Sequence, residues 1–207
     1  MPSTIESIPG LTTAVSIGAV PTNSKFNFVV VLSSIITALG IRAILTGIGW
    51  IVTCRQQVRV YPLHLIGSTL VFLLLIQGWW GTFSKRLLAD WHFGPFLVFL
   101  TTPILYYLVA ELLFPSRKPP AMDFREHYWD NFRWFYGISA VIQLNNILMD
   151  RLMPTDGPAA TATAIRLSAF LLLTIMAGVR SERIHYLTYL VLSTLFLTFI
   201  WIYNTKI

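Results

Sequence analysis

VVVLSSIITALGIRAILTGIGWIV, Val29 through Val52, is the stretch that decides the fold. It is apolar on every face of a 3.6-residue helix and interrupted only by Arg42 and a few small hydroxyl residues. Such a run exceeds the roughly 20 residues that cross a hydrocarbon core ~30 Å thick. A first membrane span is therefore expected from about Asn27 to Val52.

Working outward, the same signal recurs. A short loop with Arg55 and Arg59 leads to a second span, about Leu63–Phe83, and the linker Ser84–His92 to a third, Phe93–Phe114. Pro103 should kink the third helix, which membrane helices tolerate when neighbours re-satisfy the freed carbonyl. The linker PSRKPPAMDFREHYWDN is the longest polar stretch, and Asp123 with Glu126 three residues on has the form of a capping box. The helix starting there should run into a fourth span, roughly Phe132–Leu152. The turn Pro154–Pro158 precedes a fifth span, about Ala160–Val179, and Arg180–Arg183 caps a sixth, Ile184–Tyr203. The fold class is thus all-α, a polytopic membrane helical bundle of about six transmembrane helices in residues 26–207. Residues 1–25, broken by Pro2, Pro9 and Pro21, read as an irregular or interfacial N-terminal arm.

Composition agrees. Of 207 residues 55% are hydrophobic and only 12% charged, against roughly 25% charged in a soluble domain. Trp50, Tyr61, Trp79, Trp80, Trp91, Trp129, Trp134, Tyr186, Trp201 and Tyr203 fall near span ends, where amphipathic rings favour the headgroup region. The net charge of +6 comes from Lys and Arg at segment ends, which fits membrane orientation and no nucleic-acid partner. Arg55, Arg59, Arg117, Lys118, Arg125, Arg180 and Arg183 lie on one side; Lys25, Lys85, Arg86, Arg151 and Lys206 lie on the other. That balance favours cytoplasmic loops after spans one, three and five, with both termini outside. A lone Cys54 excludes an intramolecular disulfide and any CxxC pair, and the start of the chain lacks the pattern of a cleavable signal peptide.

The polar residues at membrane depth form the candidate site. Tyr136, Ser139, Gln143, Asn146 and Asp150 recur every three or four residues on one face of the fourth span, opposite Ile138, Val141, Ile142, Leu148 and Met149. Facing lipid they would be costly, so they should face other helices or water. Two readings stand: inter-helical hydrogen bonding, or a hydrated path or ligand cavity. Arg42, about eleven residues from its span end, should lie ~16 Å deep, where an arginine costs at least ~2.5 kcal/mol. Counted from the same side, Gln77, Thr102, Gln143 and Asn146 fall at similar depth. Arg42 is thus either a structural bundle residue or a site for an anion or headgroup. Arg166 could reach Asp150, and a buried pair of this kind is more often structural than catalytic.

Haem held by His64 and His185 would require the rings to face each other within the bilayer. All four histidines fall at span edges, so no haem, metal or other cofactor is expected. HExxH, GxSxG, a glycine-rich phosphate loop and an intramembrane carboxylate pair are missing from the sequence, which argues against an enzyme.

SSIITALGIRAILTGIGWIV, LHLIGSTLVFLLLIQGWW, DFREHYWDNFRWFYG and SERIHYL together resemble a group of small, uncharacterised polytopic bacterial membrane proteins. The resemblance implies the bacterial inner membrane and carries no activity. The functional expectation is an oligomeric channel or small transporter with a polar path. The alternative is a non-catalytic accessory subunit of a larger membrane complex. The expected partners are the lipid bilayer and either further copies of the chain or that complex.

Overall fold

A computed structural model describes residues 24–85, 92–115, 121–154 and 159–203. The expected arm at 1–25 lies outside them except for its last two positions. So do the centre of the turn at 155–158 and the basic residues Arg86, Arg117, Lys118 and Lys206.

Six helices carry the described chain: α1 Ser24–Thr53, α2 Pro62–Gly81, α3 Phe93–Leu113, α4 Phe124–Leu152, α5 Ala159–Met176 and α6 Glu182–Tyr203. A single 3-10 turn, Thr82–Lys85, extends α2. The fold is all-α, and α1, α2, α3 and α6 are long and apolar enough to cross a membrane. The other two fall short of that standard, α5 by length and α4 through its polar residues.

The helix starts follow from local chemistry. Pro62 opens α2, where a missing N–H is harmless and the fixed φ is already helical. Tyr61 before it is extended, as a residue preceding proline should be. Asp123 caps α4, its carboxylate accepting from the Arg125 N–H at 2.7 Å. The cap expected there forms, although Glu126 does not return a bond to it among the described residues. Pro103 sits buried inside α3. Beside it the Asn145 amide of α4 donates to the Val98 carbonyl at 2.9 Å, a side-chain link from the neighbouring helix one turn before the proline.

α1 packs chiefly on α3, α3 on α4, and α4 on α5, while α2 touches α1, α3, α4 and α6 and closes the bundle. The outer surface is as apolar as the core: Val31, Val52, Leu171, Ile175, Leu187, Leu190 and Leu197 are all more than half exposed. Large apolar side chains on both faces of the helices suit lipid as the solvent.

The ends are tied by short polar links. Two-residue strands β1 (Val58–Arg59) and β2 (Met122–Asp123) pair in parallel, joining the loop after α1 to the one after α3. Arg59 and Asp123 approach to 3.5 Å, and Arg125 of α4 pairs with Glu182 of α6 at 3.1 Å. The loops after α1, α3 and α5 therefore share one end of the bundle. At the other end the Lys85 ammonium donates to the Met153 carbonyl at 3.2 Å, linking the ends of α2 and α4.

Candidate functional site

The polar face of α4 looks inward. Ser139, Gln143 and Asn146 line a cavity of about 110 Å³ bounded by α2, α3, α4, α5 and α6. Gln77 of α2, Tyr106 of α3, Arg166 of α5 and Tyr189 of α6 complete its polar lining. The remainder is aliphatic and aromatic, including Leu74, Ile142, Leu173, Leu192, Phe196 and Phe199. Ile142, expected on the outward face, is 1% exposed and belongs to this wall.

The polar side chains divide into committed and available groups. Thr102 donates to the Asn146 amide oxygen at 3.0 Å and accepts from Asn145 at 2.9 Å, a three-residue link between α3 and α4. Ser139 bonds the Phe135 carbonyl of its own helix. Among the described residues, Gln77 and Gln143 make no hydrogen bond within the protein, so both amides are open to the cavity. An amide in an apolar cavity without a partner is costly, and a bound ligand or water removes that cost.

Charge collects at the end away from the odd-numbered loops. Arg166 pairs with Asp150, Nε to Oδ2 at 2.9 Å, and its guanidinium lies 5.2 Å from the centre of the Phe199 ring. Lys85, 5% exposed, stands within the field of both Asp150 and Arg166. Two cations thus attend one carboxylate.

The opposite end is plugged. His185, fully buried, has Nε2 at 2.8 Å from the Val179 carbonyl, which fixes the Nε2–H tautomer. Its Nδ1 then accepts from Tyr128 at 2.6 Å, with the Tyr136 hydroxyl 3.3 Å away. Tyr128 and Tyr136 also meet at 3.0 Å, and the Tyr189 ring stacks at 6.3 Å from Tyr136. His64 Nε2 bonds the Leu113 carbonyl at 2.6 Å, between the rings of Phe114 and Phe124. Above this plug, burial and the neighbouring Glu182 carboxylate push the Tyr61 phenol up to about 12. His64 and His185, read from the sequence as interfacial, are 1% and 0% exposed. Phe114 and Phe124 cover His64, and Tyr128, Trp129 and Phe132 of α4 cover His185, which hydropathy could not reveal.

The sequence-derived residues therefore separate. Gln77, Gln143, Asn146 and Arg166 converge on the cavity; Thr102 and Asp150 brace it from behind. Arg42 does not join them. It is exposed on the outer face of α1, a helix that contributes nothing to the cavity wall. The expected layer of Arg42, Gln143 and Asn146 is corrected on this point. The depth count assumed that all helices end in one plane, but α1 overshoots α3. Gly40 faces the Tyr107 backbone and Gly47 the Phe114 ring, the same offset of 67 residues in both contacts. Arg42 is thus level with Val109, four residues or ~6 Å below the end of α3.

Asn145 and Lys85 belong to the site region and were not singled out in the sequence. Asn145 was detectable as the neighbour of Asn146, whereas Lys85 looked like an ordinary end-of-span cation. No family model, curated protein or solved structure matches the chain, so its functional reading rests on this geometry.

Proposed function

We propose that the protein is a small membrane transporter that takes up a compact organic anion, a carboxylate with an apolar body, in the cavity between α2 and α6. The carrying observation is the composition of that cavity. Arg166 supplies a cation, Gln77 and Gln143 offer free amides, and aliphatic and aromatic walls surround them. Its volume of about 110 Å³ is of the order of the ~150 Å³ cavity that admits benzene, so the ligand has few heavy atoms. Lys85 beside the Arg166–Asp150 pair leaves local charge in favour of an anion.

A transporter fits better than an open channel because of the buried plug of Tyr128, Tyr136 and His185. Conduction would require that plug to hydrate permanently, whereas alternating access needs only its rearrangement. The reading takes α4 and α5 as membrane crossings, which places the odd-numbered loops together on one side of the bilayer.

The test uses the full chain in lipid nanodiscs, titrated with butyrate and benzoate and with their uncharged amides. The carboxylates should raise the unfolding temperature and the amides should not; Arg166→Gln should remove the effect. Equal stabilisation by the amides, or none by either set, would refute the anion site. Uptake of the same carboxylates into proteoliposomes then tests transport, and binding without uptake would refute that step alone.

A further inference from the structure

The outer face of α1 and α3 carries a feature that lipid does not explain. Arg42 is exposed, and Ala38, Thr46 and Gly49 are exposed with it on the same helical face. An added Cβ at Gly49 would meet nothing within 4 Å, so the face is open there. On α3 the neighbouring exposed charge is Glu111, and Tyr107 lies between, within the field of both Arg42 and Glu111. Among the described residues neither charge forms an ion pair. A cation and an anion thus stand side by side on a surface otherwise made of Leu39, Leu45, Ile104 and Leu108.

We infer that this face is a twofold interface between two copies of the chain, in which Arg42 of each copy pairs with Glu111 of the other. Three observations favour a second copy as the occupant. First, the patch holds both signs, so it complements itself; an isologous contact requires that if i meets j, then j meets i. Second, the levels match. A twofold axis along the membrane normal keeps every residue at its own depth, so cross-pairing works only for residues at one height. The 67-residue offset between α1 and α3 puts Arg42 level with Val109, two residues or ~3 Å from Glu111. Third, Ala38, Thr46 and Gly49 are small, which lets the backbone of a second α1 approach closely. The cavity lies on the other side of α3, so the interface and the proposed ligand site are independent.

The experiment is Förster transfer between separately labelled full-length chains in liposomes, at varied protein-to-lipid ratio. Wild type should show concentration-dependent pairing. Arg42→Glu and Glu111→Arg should each weaken dimerisation at least tenfold, and the charge-swapped double variant should restore it. A monomeric wild type, or single variants that pair as well as wild type, would overturn the inference; so would a swap that fails to rescue while folding normally. Cross-linking keeps it falsifiable should a charge variant not fold. In a chain with Cys54→Ser, Thr46→Cys should form a covalent dimer on oxidation in the membrane, whereas Leu187→Cys on the exposed face of α6 should not. Equal cross-linking at both positions would also overturn it.

Discussion

Tyr189 presses its hydroxyl against Gly67: a Cβ added to that glycine would lie 2.5 Å from the oxygen and 3.2 Å from the ring carbon that bears it. This contact between α6 and α2 closes the bundle beside the cavity, and it is possible only because position 67 has no side chain.

Gly67→Ala should therefore destabilise the protein by about 1–3 kcal/mol, the usual cost of overpacking a close contact. Tyr189→Phe removes the oxygen and should rescue much of that loss, so the double variant should unfold at a higher temperature than Gly67→Ala alone. Gly137→Ala in α4, with nothing within 4 Å of the added Cβ, serves as the neutral control. Thermal unfolding in detergent compares the four proteins, and the absence of rescue would show that the contact does not govern packing here.

The Arg166–Asp150 pair predicts strong non-additivity. Asp150→Leu strands a mostly buried guanidinium and Arg166→Leu leaves the carboxylate to Lys85 alone, each at a cost of about 1–3 kcal/mol after discounting for partial exposure. Replacing both with Leu should cost less than the sum of the singles. The check is a double-mutant cycle by chemical unfolding, with a coupling of about 1–2 kcal/mol expected.

In the plug, His185→Phe leaves both the Val179 carbonyl and the Tyr128 hydroxyl without this partner, and about 1–3 kcal/mol should be lost. Tyr128→Phe should cost less, since the Tyr136 hydroxyl already lies 3.3 Å from the same ring nitrogen and can replace it. The double change Tyr128→Phe/Tyr136→Phe should then exceed the sum of the singles. Unfolding midpoints of these four variants, Tyr136→Phe included, test that ordering.

Cys54 reports orientation. It is partly exposed at the end of α1, on the end shared by the loops after α1, α3 and α5. With those loops in the cytoplasm, a membrane-impermeant maleimide should miss Cys54 in intact cells and label it in inverted vesicles. Labelling of intact cells would reverse the orientation.

Much of this molecule is legible residue by residue. Long, predominantly apolar runs produce α1, α2, α3 and α6 whatever surrounds them, because an unpaired backbone in lipid is costlier than any helix. Asp123 marks the start of α4 through a bond to its own second-next N–H, which depends only on local chain. The inward stripe Ser139, Gln143, Asn146 followed from 3.6-residue periodicity, since periodicity places side chains on a common face.

Periodicity does not say what that face meets, and here the tertiary structure decided. The charge of Arg42 resembled that of Arg166 in sequence, yet one lies outside against lipid-facing Leu and Ile and the other inside against Asp150. Depth counting failed for Arg42 because helix ends are staggered by packing, and the Gly40 and Gly47 contacts that slide α1 past α3 involve partners 67 residues away. His64 and His185 are buried because the aromatic first turns of α4 pack over them. By itself the sequence determined which segments are helices and which of their faces are polar, since both follow from local hydrogen bonding and transfer into lipid. Which polar faces share a cavity and which stand on the outer surface came from the packing, because that depends on the axial offset and rotation of helices far apart in the chain.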